Sequence, residues 1–202
     1  MPILKREPDL YPDDLLTAPV PDAAAAAGTA GWWVAHTRSR QEKVLARHLR
    51  ARAVGHYLPQ REQLLTAGGR KRVSYRPLFP GYVFFRGGGS ERLAAFGSGV
   101  VVRLLPVPDQ LGLEDELRSL WRLQATGAPL VPWRYLGPGD EVEIVDGPLR
   151  GWTGTVLRTK GALRLVVSVT LLRQSVAAEV DRELVSPLVR RGGYNRPAAA
   201  RL

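Results

Sequence analysis

The sequence predicts an α+β protein, in which an N-terminal antiparallel sheet flanked by helices is linked to a small C-terminal all-β barrel. Three observations carry this. As far as Ala125, extended runs alternate with helical patterns; beyond it come short alternating strands with turn residues every few positions. Gly127-Ala128-Pro129, Pro132 and Gly137-Pro138-Gly139 break the chain where the pattern changes, so 127–138 reads as a linker. Charge divides the same way. Between Gly31 and Ser90 twelve basic residues face only Glu42 and Glu62, whereas Glu91 to Val189 is close to neutral.

Residues 1–30, rich in Pro, Asp and Ala without an apolar period, are expected to be a disordered tail. Trp32-Trp33-Val34-Ala35-His36 is the first strand. Over Arg40–Val54 the 100° step places Leu45, Ala46, Leu49 and Ala53 on one face and Arg40, Lys43, Arg47 and Arg50 on another. That is an amphipathic helix with a basic stripe, and His48 falls between the two arcs. Glu62–Thr66 and Val73–Arg76 flank Ala67-Gly68-Gly69-Arg70-Lys71-Arg72 as a hairpin with a basic tip. Pro77 and Pro80 interrupt an extended run before the strand Tyr82–Arg86. Ser90 caps a short helix through Phe96, Val100–Leu105 is a strand, and Glu114–Ala125 is a helix with acids in its first turn. Strands then follow at 141–145, 154–158, 163–169, 175–180 and 184–188, and 190–202 is a second disordered tail.

Several function classes drop out. The chain has 202 residues and no cysteine, so it has no disulfide framework and no thiolate chemistry. No apolar run approaches the ~20 residues of a membrane span, and the first thirty residues lack a signal-peptide core. A cytoplasmic location without membrane contact is expected. His36, His48 and His56 are not at metal-ligand spacing, Gly97-Ser98-Gly99 lacks a third glycine, and Glu114-Asp115-Glu116 reads as helix-terminal charge rather than an acid–base pair. The expectation is a non-enzyme with no metal or other cofactor. The net charge of +10, gathered in one half, points to nucleic acid or to a solubilising surface. Phe79, Tyr82, Phe84 and Phe85 lie within seven residues; one face of that strand must be core, and the other offers aromatic surface to a protein partner.

Trp32 to His36, the basic helix and above all Pro77-Leu78-Phe79-Pro80-Gly81-Tyr82-Val83-Phe84 resemble the N-terminal domain of the NusG family of transcription elongation factors. Gly139-Asp140-Glu141-Val142-Glu143-Ile144-Val145-Asp146-Gly147-Pro148-Leu149-Arg150-Gly151-Trp152-Thr153-Gly154 resembles a KOW motif, the mark of an SH3-like barrel. The resemblance covers about residues 31–188, with an N-terminal domain over 31–126 and a KOW domain over 139–189. It implies a monomeric elongation and antitermination factor docked on the clamp of RNA polymerase's largest subunit. The implied docking residues are Trp32, Trp33, His36, Phe79, Tyr82 and Phe84. It further implies contact with the non-template DNA strand or nascent RNA by Arg38, Arg40, Lys43, Arg47, His48, Arg50, Arg70, Lys71 and Arg72. The KOW loop, with Leu171, Leu172 and Arg173, would meet ribosomal protein S10 or Rho. Leu172 stands where housekeeping members have Phe and Arg173 where they have Gly, which favours a specialised, RfaH-like, operon-directed paralogue. A ribosome-associated RNA-binding KOW protein is the alternative, one that would not need the motif from Pro77 to Phe84.

Overall fold

The computed structural model describes residues 7–17, 31–67, 70–133, 141–144, 152–159, 162–180 and 185–187. The N-terminal unit contains β1 (Leu10–Tyr11), β2 (Gly31–Thr37), α1 (Glu42–Arg50), β3 (His56–Tyr57), β4 (Gln60–Ala67), β5 (Arg70–Pro77), β6 (Tyr82–Gly87), α2 (Gly89–Phe96), β7 (Val101–Pro106) and α3 (Gln110–Ala125). Its five-stranded sheet runs β1-β3-β6-β2-β7, antiparallel throughout, and β4 and β5 form a separate hairpin.

Aromatic and β-branched residues make β2 and β6 extended, and their period of two sorts the core into two layers. Ala35, Val83 and Phe85 face Leu45 and Leu49 of α1 and Ala95 of α2. Trp32, Val34, Tyr57 and Phe84 occupy the other face with Leu113, Leu117, Leu120 and Leu123 of α3. Trp32 is held at its backbone and at its ring: its backbone N donates to Gln110 Oε1 (2.6 Å) and its indole Nε1 to Glu114 Oε2 (3.2 Å).

The C-terminal sheet has six strands in the order β13-β9-β10-β11-β12-β8. They are β8 (Val131–Trp133), β9 (Glu141–Ile144), β10 (Trp152–Thr159), β11 (Ala162–Val169), β12 (Gln174–Val180) and β13 (Val185–Pro187). This sheet is joined to the first unit. Leu165, Val167, Val169, Val176 and Ala178 share one buried cluster with α3 and Trp32, and Thr170 N donates to both carboxylate oxygens of Glu116 at 3.1–3.2 Å.

Five expectations need correction. Residues 7–17 are an edge of the sheet: β1 pairs with β3, Leu58 N donates to Asp9 O (2.7 Å), and Leu15 and Leu16 are buried. The basic helix is shorter than 40–54, because Arg40 and Ala53 take left-handed φ values of 61° and 54°. The third helix starts at Gln110, where Asp109 accepts from Gly112 N (2.9 Å), so Glu114 lies inside it and not at its first turn. Helix α2 is capped by Gly88 with Glu91, not by Ser90. Within the expected linker, Val131–Trp133 is a strand paired with β12. Residues 1–6, 18–30, 134–138 and 190–202, and the glycines Gly147 and Gly151 of the KOW motif, lie outside the described residues.

Candidate functional site

The motif from Pro77 to Tyr82 builds the turn that presents the candidate docking face. Tyr82 N donates to Phe79 O (3.1 Å), Pro80 supplies the fixed φ of the second position and Gly81 the positive φ, 87°, of the third. That is a type II turn, and it requires this Pro-Gly order. Gly81 N donates to Glu42 Oε1 (2.6 Å) and Gly81 O accepts from Thr37 N (2.8 Å), so α1 and the end of β2 hold the turn from two sides.

The six expected aromatic and imidazole residues divide three ways. His36 and Tyr82 are cross-strand partners on one face, half-buried, with rings stacked at 5.1 Å. Trp32, Phe79 and Phe84 are 2 %, 1 % and 0 % exposed, so in this structure they belong to the core. Phe79 meets Phe84 edge-on at 6.0 Å and braces the face from beneath. Trp33 points to the opposite side of the sheet, where Arg92 covers its ring at 4.6 Å. The sequence placed Trp32, Trp33 and His36 on a strand adjacent to that of Tyr82 and Phe84, while Phe79 lies in the turn before it; what it could not show is that α3 covers the face that Trp32 and Phe84 share.

The basic residues also part company. Glu7, in the segment expected to be disordered, takes up Arg50 (3.2 Å) and Arg47 (3.5 Å). His48 Nε2 donates to Ala94 O (2.8 Å) and Nδ1 lies 3.1 Å from Arg52 Nη1, so this ring bridges α1 to α2. Lys43 Nζ donates to Tyr75 O (2.8 Å), and burial lowers its pKa against the pull of Glu7 and Asp9. Arg38 and Arg40 are exposed. Arg70, Lys71 and Arg72 lie on β5, and their side chains are outside the described residues. The stripe itself is therefore largely engaged. Sequence reasoning counted Arg61 and Arg76 in the basic half without seeing that they gather beside Arg40 and Lys43 around one groove of about 760 Å³. Among the described residues, no group of three or more His, Cys, Asp or Glu side chains is placed to hold a metal ion.

A family model described as transcription termination factor nusG matches residues 30–92, the span that carries β2, the basic helix, the hairpin and the Pro-Gly turn. The termination/antitermination protein NusG of Pseudomonas aeruginosa is 26% identical over 170 residues, covering 74% of this chain and 94% of its own. That of Yersinia pestis is 28% identical over 171 residues, with 74% and 92% covered. The chain is thus similar to NusG proteins along most of its length. A solved structure concerned with domain interaction in Thermotoga maritima NusG aligns at 18% identity and a TM-score of 0.44, covering 79% of this chain and 98% of that one.

The candidate KOW loop is a one-turn 3-10 helix over Thr170–Leu172 that ends at Arg173. Arg173 adopts φ 50°, ψ 42°, the left-handed conformation that glycine takes without strain. Leu171 and Leu172 are half-buried against the same cluster that contains Phe79 and Phe84. Loop and candidate docking face thus border the same buried cluster, and on the α3 side Glu116 accepts from Thr170 N.

Proposed function

We propose that this chain binds RNA polymerase through the face formed by His36 and Tyr82, sustains elongation through pause and termination sites, and recruits a further factor through the loop Thr170–Arg173. The carrying observation is the Phe79–Tyr82 turn, which places a stacked imidazole–phenol pair at the surface over a rigid aromatic floor. A preorganised aromatic pair above a packed core gives affinity at little entropic cost. The clamp of the largest subunit is the partner that the family resemblance supplies. The operon-directed subtype is supported by Leu172 and by a left-handed arginine at a position where housekeeping members carry glycine.

The test is binding to core RNA polymerase of the wild type beside His36→Ala/Tyr82→Ala. These two residues are half-buried, so their removal spares the core, whereas Phe84→Ala would test folding instead. A loss of affinity of tenfold or more, with unchanged circular dichroism, is expected for an anchoring pair. Equal binding by both proteins, or binding to ribosomal RNA without polymerase binding, would overturn the reading.

A further inference from the structure

We propose that the groove between the start of α1 and the base of the β4–β5 hairpin binds the sugar-phosphate backbone of single-stranded nucleic acid. This rests on the nucleic-acid reading of the basic N-terminal unit and gives it a site other than the helix stripe.

Arg61 and Arg76 are direct cross-strand partners in the hairpin, so their guanidinium groups share one face and both line the groove. Like charges directly opposite each other destabilise a strand pair. Among the described residues no carboxylate forms an ion pair with either; Glu62 lies opposite Tyr75, on the other face. An anion seated between the two arginines would relieve that repulsion. Arg40, on the opposite wall, is exposed and held at φ 61°, a strained backbone of the kind that collects at binding sites. Lys43 Nζ uses one of its three hydrogens on Tyr75 O, leaving donors for a phosphate oxygen. The one acid in the lining, Glu42, is buried and already accepts from Gly81 N, so it does not oppose an anion in the open part of the groove.

The contrast with the rest of α1 strengthens the assignment. Arg47 and Arg50 are engaged by Glu7, and Arg52 is turned onto His48. Cations with no ion pair among the described residues therefore collect at the hairpin end of the helix. A concave groove of about 760 Å³ has the size of a small-ligand site and accepts a short stretch of one strand. A duplex would touch only its rim.

The experiment is fluorescence anisotropy on the full chain with a labelled short oligodeoxythymidylate and a blunt duplex of equal length, over a range of salt. Arg61→Gln/Arg76→Gln is expected to weaken single-strand binding about tenfold. It should also lower the slope of log affinity against log salt by about 1.4, as for two lost phosphate contacts on a single strand. Arg47→Gln/Arg50→Gln is expected to change affinity less than threefold. If the groove variant binds as the wild type does and the helix variant does not, the groove assignment falls while the nucleic-acid reading stands. If the wild type prefers the duplex, the single-strand assignment falls. If the wild type binds neither probe, the groove and the nucleic-acid reading fall together.

Discussion

His56 shows how much a single side chain's role depends on what surrounds it. In the sequence it is one of three histidines without metal-ligand spacing; in the fold it is 1 % exposed, with Nδ1 on Val54 O at 2.9 Å. Burial lowers its pKa, the Val54 carbonyl opposes that shift, and Arg50 and Glu7 add smaller effects of opposite sign. The folded chain therefore keeps this ring neutral, while the unfolded chain takes a proton as pH falls through the ordinary imidazole range. Stability from this residue is full above that range and is lost as pH drops toward the lowered folded value, by no more than about 1.4 kcal/mol per pH unit for one proton. Urea denaturation of wild type and His56→Gln at pH 7.5 and 5.5 checks this: the wild type should lose more stability between the two. Equal losses would remove His56 from the account. Trp32 teaches a related lesson, since its aromatic character was legible but its hydrogen bond to Glu114 was not. Those two residues lie 82 positions apart, and no local pattern links them.

Among the elements, the segment 7–17 departs most from expectation. Its composition is poor in apolar residues, which is why it reads as disordered, yet three buried leucines and one strand pair help to hold it. Leu16 is fully buried, Arg118 Nε donates to Leu16 O (2.9 Å), and Asp9 accepts from Gln60 (2.6 Å) and Gln124 (2.6 Å). Leu16→Ala should cost about 2–4 kcal/mol, the ordinary penalty for emptying a packed leucine site. A denaturation midpoint unchanged by this substitution would show that the segment is not part of the folded unit. The strands β2, β6 and β11 needed no such context, because alternation and β-branched or aromatic residues specify them locally. Helix α1 was legible in its face and not in its length, since the left-handed turns at Arg40 and Ala53 are set by packing around the helix ends.

At the scale of the whole molecule, the contact between the two sheets decides which surfaces are free. Leu171 and Leu172 pack on the cluster beneath His36 and Tyr82, and Glu116 accepts from Thr170 N. If docking at the proposed His36–Tyr82 face needs this contact to open, apparent affinity falls in proportion to the fraction that is open. Glu116→Ala/Leu172→Ser should raise affinity for core polymerase about three- to tenfold, read by titration against the wild type; unchanged affinity would show that the contact does not gate docking. By itself the sequence determined the α+β class, the order of the two units, the Pro-Gly turn at 79–82 and the concentration of charge in the first unit. These follow from periodicity, turn chemistry and composition, which act over a few neighbouring residues. Only the tertiary structure decided that Phe84 is floor and Tyr82 is surface, that Glu7 engages Arg47 and Arg50, and that Arg40, Lys43, Arg61 and Arg76 share a groove. Burial and charge pairing depend on which distant segments meet, and that is settled when the sheets, helices and hairpin pack together.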